Sequence, residues 1–247
     1  MLIRQTVETL RELRLKPMAQ AFEEQLKNPS MLSLSFDERF GMLVDHEKQV
    51  RENNKQARLE RQAKLKINTC VEDIVFDTAR GRDRNVIQHL ATCQYLHEAQ
   101  NVIITGLTGT GKTHISCGLG NSAIRKGKSV FSIRLARLFE QFQVARGDGT
   151  IQKLRAKLAK FDLLIIDDWA LAPINDILRH ELLELIDDRL GIGSIIITSQ
   201  LPVEQWHEYL GDPTVADAIL DRIVQRAHII ELRGDSMRKL TEPNREC

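Results

Sequence analysis

One junction in this chain constrains its fold more than any other. The apolar, β-branched run Asn101-Val-Ile-Ile-Thr105 empties directly into Gly106-Leu107-Thr108-Gly109-Thr110-Gly111-Lys112-Thr113, and a helical pattern from His114 to Lys126 follows. The octet fits G-x-x-x-x-G-K-[ST], the phosphate-binding loop. Its glycines allow a tight turn whose backbone N–H groups converge on an anion. The turn opens onto a helix N-terminus, where unpaired N–H groups and the helix dipole favour negative charge. Lys112 is placed to reach the β- and γ-phosphates, and the Thr113 hydroxyl to ligate Mg²⁺. A nucleoside triphosphate is the ligand this junction implies.

The rest of the C-terminal part alternates short apolar runs with helical periods. Strands are expected at Ser129–Ile133, Asp162–Asp167, Gly193–Thr198 and His228–Leu232. Helices are expected at Leu135–Arg146, on to Lys160 after a Gly-Asp-Gly break, and at Asp176–Leu190, Val203–Tyr209 and Val215–Arg226. Continuous apolar strands separated by helices indicate an α/β fold, a parallel sheet covered on both faces. A single helix from about Arg84 to His97 should precede the phosphate-loop strand.

Residues 2–65 carry no strand pattern. Leu2, Val7, Leu10 and Leu13 form a first amphipathic segment, and Pro17 restarts the chain into a second that ends at Asn28-Pro29. Ser35 followed by Glu38 is a capping box, expected to open a long helix running to about Leu65. A boundary near residue 68 then separates a small all-helical N-terminal domain, 1–68, from an α/β domain, 69–247. From Glu47 to Lys66 the long helix holds seven basic and three acidic residues. Lys48, Arg51, Lys55 and Arg58 recur at helical spacing and share one face. That stripe is either a solvated surface or a face that tracks DNA phosphates.

A second cluster of chemistry stands at strand ends. Leu163-Leu-Ile-Ile finishes in Asp167 and Asp168, about 55 residues after the loop. Side chains at the carboxyl end of a parallel strand face the ligand crevice. Asp167 is placed to hold Mg²⁺ and Asp168 to orient and deprotonate an attacking water. Ser199 and Gln200 end the next apolar strand, and either is able to bond the γ-phosphate or that water. Arg222 and Arg226 lie on one late helix, and an arginine delivered to a γ-phosphate neutralises developing charge. Arg238, beyond the last strand, is a further basic residue placed to fold back over the nucleotide.

Composition narrows the partners. A net charge of +1 gives no global attraction to nucleic acid or membrane, so any such attraction is local. No apolar run approaches the length of a bilayer span and the N-terminus has no apolar signal core, so a cytoplasmic protein with no membrane partner is expected. Cys70, Cys93, Cys117 and Cys247 are too scattered for a zinc site or a disulfide framework.

Taken together, Leu13-Arg-Leu-Lys-Pro17, Gly109-Thr-Gly-Lys-Thr-His114, Leu164-Ile-Ile-Asp-Asp168, Thr198-Ser-Gln-Leu-Pro202 and Ile219-Leu-Asp-Arg222 resemble the AAA+ ATPases. Within them the likeness is to the IstB-like transposition helpers, in the branch that also holds the DnaC helicase loaders. It spans nearly the whole chain. The resemblance implies an ATPase that uses ATP and Mg²⁺, assembles into a homo-oligomer on duplex DNA in an ATP- and DNA-dependent way, remodels that DNA, and recruits a transposase. Carried over by position, Gly106, Leu107, Thr108, Gly109, Thr110, Gly111, Lys112 and Thr113 are Walker A, with His114 beside them. Asp167-Asp168 is Walker B, Gln200 with Ser199 is sensor 1, Arg222 the arginine finger and Arg238 sensor 2. Asp168 stands where many AAA+ proteins carry Glu. The alternative the resemblance leaves is a DnaC-like loader of a replicative helicase. A phosphate-loop kinase is disfavoured, since the basic helix and Arg222 fit a DNA-bound oligomer better than a small-substrate pocket.

Overall fold

In the computed structural model, residues 2–237 are described, apart from the side chain of Leu32; Arg238 lies outside them. The described chain forms two compact units, one up to Arg58 and one from Leu59 onward.

The first unit is helical. Helix α1 spans Leu2–Glu12, α2 Lys16–Lys27 with Pro17 in its first turn, and α3 Phe36–Ala63. The capping box is present: Glu38 N donates to Ser35 Oγ at 3.3 Å, and Ser35 N donates back to Glu38 Oε2 at 2.8 Å. Val7, Ala19 and Leu43 are its buried apolar side chains. Glu47 is also buried, accepting Met18 N at 2.9 Å and Arg51 Nε at 2.5 Å. Burial pushes the Glu47 carboxyl up, but the Arg51 and Met18 donors outweigh it and hold it below the usual carboxylate value.

The division between the units falls before Leu59, ahead of the composition change near residue 68. The reason is apolar burial: Leu59 and Ala63, at the end of α3, belong to the core of the second unit. A connector with two 3₁₀ turns, Val71–Asp73 and Thr78–Arg80, leads to α4, Arg84–Ala91, and α5, Gln94–His97. The periodicity suggested one helix here. The chain instead breaks at Cys93, whose φ of 61° is left-handed, after Thr92 bonds back to His89 O at 2.6 Å.

The sheet is fully parallel. Strands β1 (Asn101–Gly106), β2 (Val130–Arg134), β3 (Leu163–Trp169), β4 (Ser194–Ser199) and β5 (Ala227–Leu232) lie in the order β2-β3-β4-β1-β5. Between them run α6 (Lys112–Arg125), α7 (Leu135–Gly147), α8 (Ile151–Ala159), α9 (Asp176–Asp187), α10 (Trp206–Leu210) and α11 (Pro213–Val224). Alternate strand residues feed two cores, one on each face. Ile103, Leu164, Ile166 and Ile197 pack with α7, α9 and α11, whereas Val102, Ile104, Ile165 and Ile196 pack with α4 and α6. Truncating one of these fully buried strand residues to Ala costs about 2–5 kcal/mol. This double cover holds the carboxyl ends of β1, β3 and β4 side by side, with β1 next to β4 and β4 next to β3.

Candidate active site

The phosphate loop crosses from β1 to α6 as the sequence requires. Gly111 adopts φ 98° as N-cap of α6, a left-handed position where a Cβ would also come within 3.1 Å of Arg82 NH2. Gly106, at φ 144°, is closed by β5: a Cβ there would strike Leu232 O at 2.4 Å. Lys112 is buried and donates to Gly106 O at 2.6 Å and Leu107 O at 2.9 Å, so its ammonium curls over the loop it belongs to. Thr110 Oγ1 closes the turn on Leu107 O at 2.8 Å, while Thr108 Oγ1 reaches out to Gln200 Oε1 at 2.7 Å. His114 Nε2 meets Thr69 Oγ1 at 3.0 Å, tying the first turn of α6 to the connector.

The two carboxylates are placed differently. Asp167 is buried and accepts Thr113 Oγ1 at 3.1 Å, the Thr198 hydroxyl, and Lys66 Nζ at 3.3 Å. In a regular strand Asp168 would point to the opposite face. The pairing of β3 with β4 slips between Ile166 and Trp169, and Asp168 takes φ 60°. Such a bulge re-aims a side chain at a strand end. Asp168 therefore lines the cavity beside the loop, with Arg134 Nε at 3.4 Å from its Oδ2. Thr113 and Asp167 offer a hydroxyl and a carboxylate 3.1 Å apart, hard oxygen donors of the kind Mg²⁺ takes.

The cavity measures ≈ 370 Å³, room for a nucleotide-sized ligand. Its lining combines polar side chains, Lys112, Thr113, Asp168 and Gln200 among them, with apolar Ile67, Ile74 and Met237. The segment after β5 closes it, since Met237 N donates to Gly109 O at 2.9 Å. Another hollow, of ≈ 440 Å³, lies behind the last turn of α6, and its cations already have partners. Arg125 pairs with Glu72 at 3.0 Å, Arg84 covers the Phe76 ring at 5.3 Å, and Lys126 bonds Thr92 O.

Not every residue expected at the site reaches it. Gln200 lines the cavity. Ser199 is fully buried, donating to Trp169 O at 3.2 Å and accepting Leu201 N at 3.0 Å, so its hydroxyl is spent on holding β4 against β3. Arg222 lies at the other edge of the sheet. Its carbonyl and that of Ile223 accept Asn101 Nδ2 at 3.3 and 3.1 Å, at the start of β1. Its guanidinium pairs with Asp187 at the end of α9. A strand rises about 3.3 Å per residue, so the length of β1 puts roughly 17 Å between Arg222 and the loop of its own subunit. Arg226 is exposed near that same edge. On α3, Lys48, Lys55 and Arg58 are exposed, whereas Arg51 is tied to Glu47 and donates to Arg14 O at 3.2 Å.

Residues that spacing did not single out complete the surroundings. Arg82, buried, donates to Thr110 O at 2.6 Å and Val75 O at 3.3 Å, stapling the connector to the loop. Burial, with Arg80 nearby, pulls its guanidinium below the ordinary arginine value. Arg134, Thr198 and Lys66 join through long-range contacts, for which local sequence carries no signal.

The sequence matches the family model of IstB-like ATP binding proteins over residues 8–244. It is 43% identical over 239 residues to an insertion-sequence ATP-binding protein of Sinorhizobium fredii, covering 97% of this chain and 98% of that one. It is 46% identical over 205 residues to the insertion sequence IS1162 ATP-binding protein of Pseudomonas fluorescens, covering 82% and 88%. Among solved structures, the DnaC helicase loader superposes with a TM-score of 0.59 at 17% identity, over 69% of this chain and all of that one. AMPPCP-bound DnaA from Aquifex aeolicus superposes with a TM-score of 0.58 at 20% identity, over 71% and 53%. At such identities the two structures speak for the fold alone, the AAA+ arrangement of the phosphate-loop NTPases.

Proposed function

The chain belongs to the IstB-like ATP-binding protein family, and from that premise we propose that it is the ATP-hydrolysing helper of an insertion-sequence transposase. In this reading it assembles on duplex target DNA, remodels it and recruits the transposase. The observation that carries the reading is the separation of Arg222 from its own phosphate loop. Everything that would hold and position the nucleotide stands on the carboxyl edge of the sheet, and the arginine suited to the transition state stands on the other. One subunit then supplies loop and carboxylates, and its neighbour supplies the finger.

In that arrangement the N–H groups of Gly109, Thr110, Gly111 and Lys112 cradle the β-phosphate. The Lys112 ammonium swings from the carbonyls of Gly106 and Leu107 to the β- and γ-oxygens. The Thr113 hydroxyl and the Asp167 carboxylate would hold Mg²⁺, which would neutralise phosphate charge. Asp168, turned inward by its bulge, accepts the proton of the attacking water, and Gln200 orients that water or the γ-phosphate. The family resemblance assigns Arg238, which lies outside the described residues, to the nucleotide as well. Arg222 of the adjoining subunit neutralises the charge that develops on the transferred group. Its pair with Asp187 involves side chains 29% and 42% exposed, so exchanging it for a phosphate is cheap. Leu190 and Ile192, exposed in the turn that enters β4, support a subunit contact on the same edge.

Lys48, Lys55 and Arg58 are assigned to DNA phosphates, with Arg51 contributing less because Glu47 holds it. Phosphate contacts fix position without reading sequence, which suits a helper that acts at many target sites. The test is hydrolysis and assembly together. Duplex DNA is expected to stimulate ATP turnover, and ATP to promote assembly on that DNA. Stimulation by single strands alone would instead favour a helicase loader of the DnaC kind.

A further inference from the structure

The connector after α3 carries a cation that none of these roles uses. Lys66 Nζ stands 3.3 Å from Asp167 Oδ2, the carboxylate side chain being 6% exposed and the lysine 40%. The opposite oxygen, Oδ1, accepts the hydroxyls of Thr113, at 3.1 Å, and Thr198. Lys66 lines the same cavity as Lys112 and Asp168. A positive charge thus already sits beside the one carboxylate assigned to the metal.

Backbone contacts put it there. The backbone N–H groups of Lys66 and Ile67 lie beside the Cys117 thiol on α6 and partly offset the burial that raises its pKa. On one side Leu65 packs over Gly120, where a Cβ would come within 3.1 Å of Leu65 Cδ2. On the other, Thr69 bonds His114 through its hydroxyl and Asn121 through its carbonyl, each at 3.0 Å. The segment is laid along α6, and Lys66 reaches from it to Asp167.

A buried carboxylate without a compensating cation is costly, and Lys66 supplies one. An ammonium and a divalent cation a few ångströms apart at one carboxylate repel each other. We propose that Lys66 is a tethered counter-ion for Asp167 in the nucleotide-free protein, and that Mg²⁺ arriving with nucleotide displaces it, loosening the Lys66–Ile67 stretch from α6. The inference rests on Asp167 being the metal-side carboxylate of the function proposed above. It makes the connector, which follows directly on the helix carrying the basic stripe, responsive to the state of the site.

The test is a Mg²⁺ titration of the full-length chain at a fixed concentration of a fluorescent ATP analogue, mant-ATP. Binding by the wild type, lost in Lys112→Ala, establishes the site itself; a wild type that binds no analogue overturns both the function and this inference. With binding established, Lys66→Met is expected to lower the Mg²⁺ midpoint about fivefold, the scale of a partly exposed ion pair. Its affinity for the analogue in EDTA should be unchanged, and Lys66→Arg should keep the wild-type midpoint. In the wild type, hydrogen exchange at the Lys66 and Ile67 amides should rise when Mg²⁺ is added to the nucleotide-bound protein. An unmoved midpoint in Lys66→Met overturns the proposal while leaving the function intact. So does an equal loss of affinity with and without Mg²⁺, which would make Lys66 a phosphate ligand, or unaltered exchange at those amides.

Discussion

The two edges of the sheet are built to opposite specifications. On the carboxyl edge Lys112, Thr113, Asp168 and Gln200 line one cavity, with Asp167 buried behind Thr113, and each is already engaged with a neighbour: Lys112 with Gly106 O, Thr113 with Asp167, Asp168 with Arg134, Gln200 with Thr108. On the amino edge Arg222 has an ion pair with Asp187, beside the exposed Leu190 and Ile192. The first edge is assembled within one chain, where only the Lys112 and Lys66 ammonium groups need to shift for a nucleotide. The second is, on the proposed function, completed by a neighbouring subunit. On the proposed function, the difference makes binding and turnover separable, one resting on a single subunit and the other on an assembly.

The largest effect should come from the amino edge. Arg222→Ala is expected to cut ATP turnover about 10³-fold or more, as loss of an arginine finger does, while nucleotide binding by the isolated subunit stays the same. Turnover within a few-fold of wild type would erase the contrast between the edges. Next is Asp168→Asn, which keeps shape and one acceptor but removes the base. Turnover should fall about 10²-fold or more with ATP still bound, measured by single-turnover hydrolysis and nucleotide titration.

A smaller effect separates two neighbours at the end of β4. Gln200→Ala should slow hydrolysis with little change in melting temperature. Ser199→Ala should leave the chemistry alone and cost about 1 kcal/mol of stability through its lost hydrogen bonds to the Trp169 carbonyl and Leu201 amide. The reverse outcome would return sensor 1 to Ser199. Smallest in energy per residue is the basic stripe. Neutralising Lys48, Lys55 or Arg58 should each reduce the salt slope of DNA binding by about one, for all sequences alike. Arg51→Ala should change that slope less and instead destabilise the helical unit, because Glu47 loses its partner. An unmoved slope in the triple variant would make the stripe a solvated face.

What the sequence made legible follows from how local each signal is. The phosphate loop, the capping box at Ser35 and Glu38, and the apolar strands that carry Asp167 and lead into Gln200 are contiguous patterns, and they appear close to where spacing put them. The break at Cys93 was hidden because it depends on one left-handed residue inside an otherwise helical period. Ser199 and Gln200 are equivalent on paper; only the pairing of β3 with β4 shows that one hydroxyl is consumed inside the sheet. Arg51 reads as one of four equal cations until Glu47 is seen buried beneath it. Lys66, Arg82 and Arg134 reach the site across long stretches of chain, from a connector, a turn and a strand end whose residue types are ordinary. Helix capping and periodicity are encoded nearby; the second ring of contacts around a site is encoded by the fold as a whole.

The central claim, that one subunit's site is finished by another's Arg222, is tested most directly by mixing. Arg222→Ala subunits keep an intact loop and lack the finger; Lys112→Ala subunits lack the loop function and keep the finger. Each should be inactive alone. Mixed on duplex DNA, some interfaces pair an intact loop with an intact finger, and ATP hydrolysis is expected to return, peaking near equal proportions. No recovery, with co-assembly verified on the same DNA, would contradict the account and leave Arg222 acting within its own chain or holding Asp187 in place.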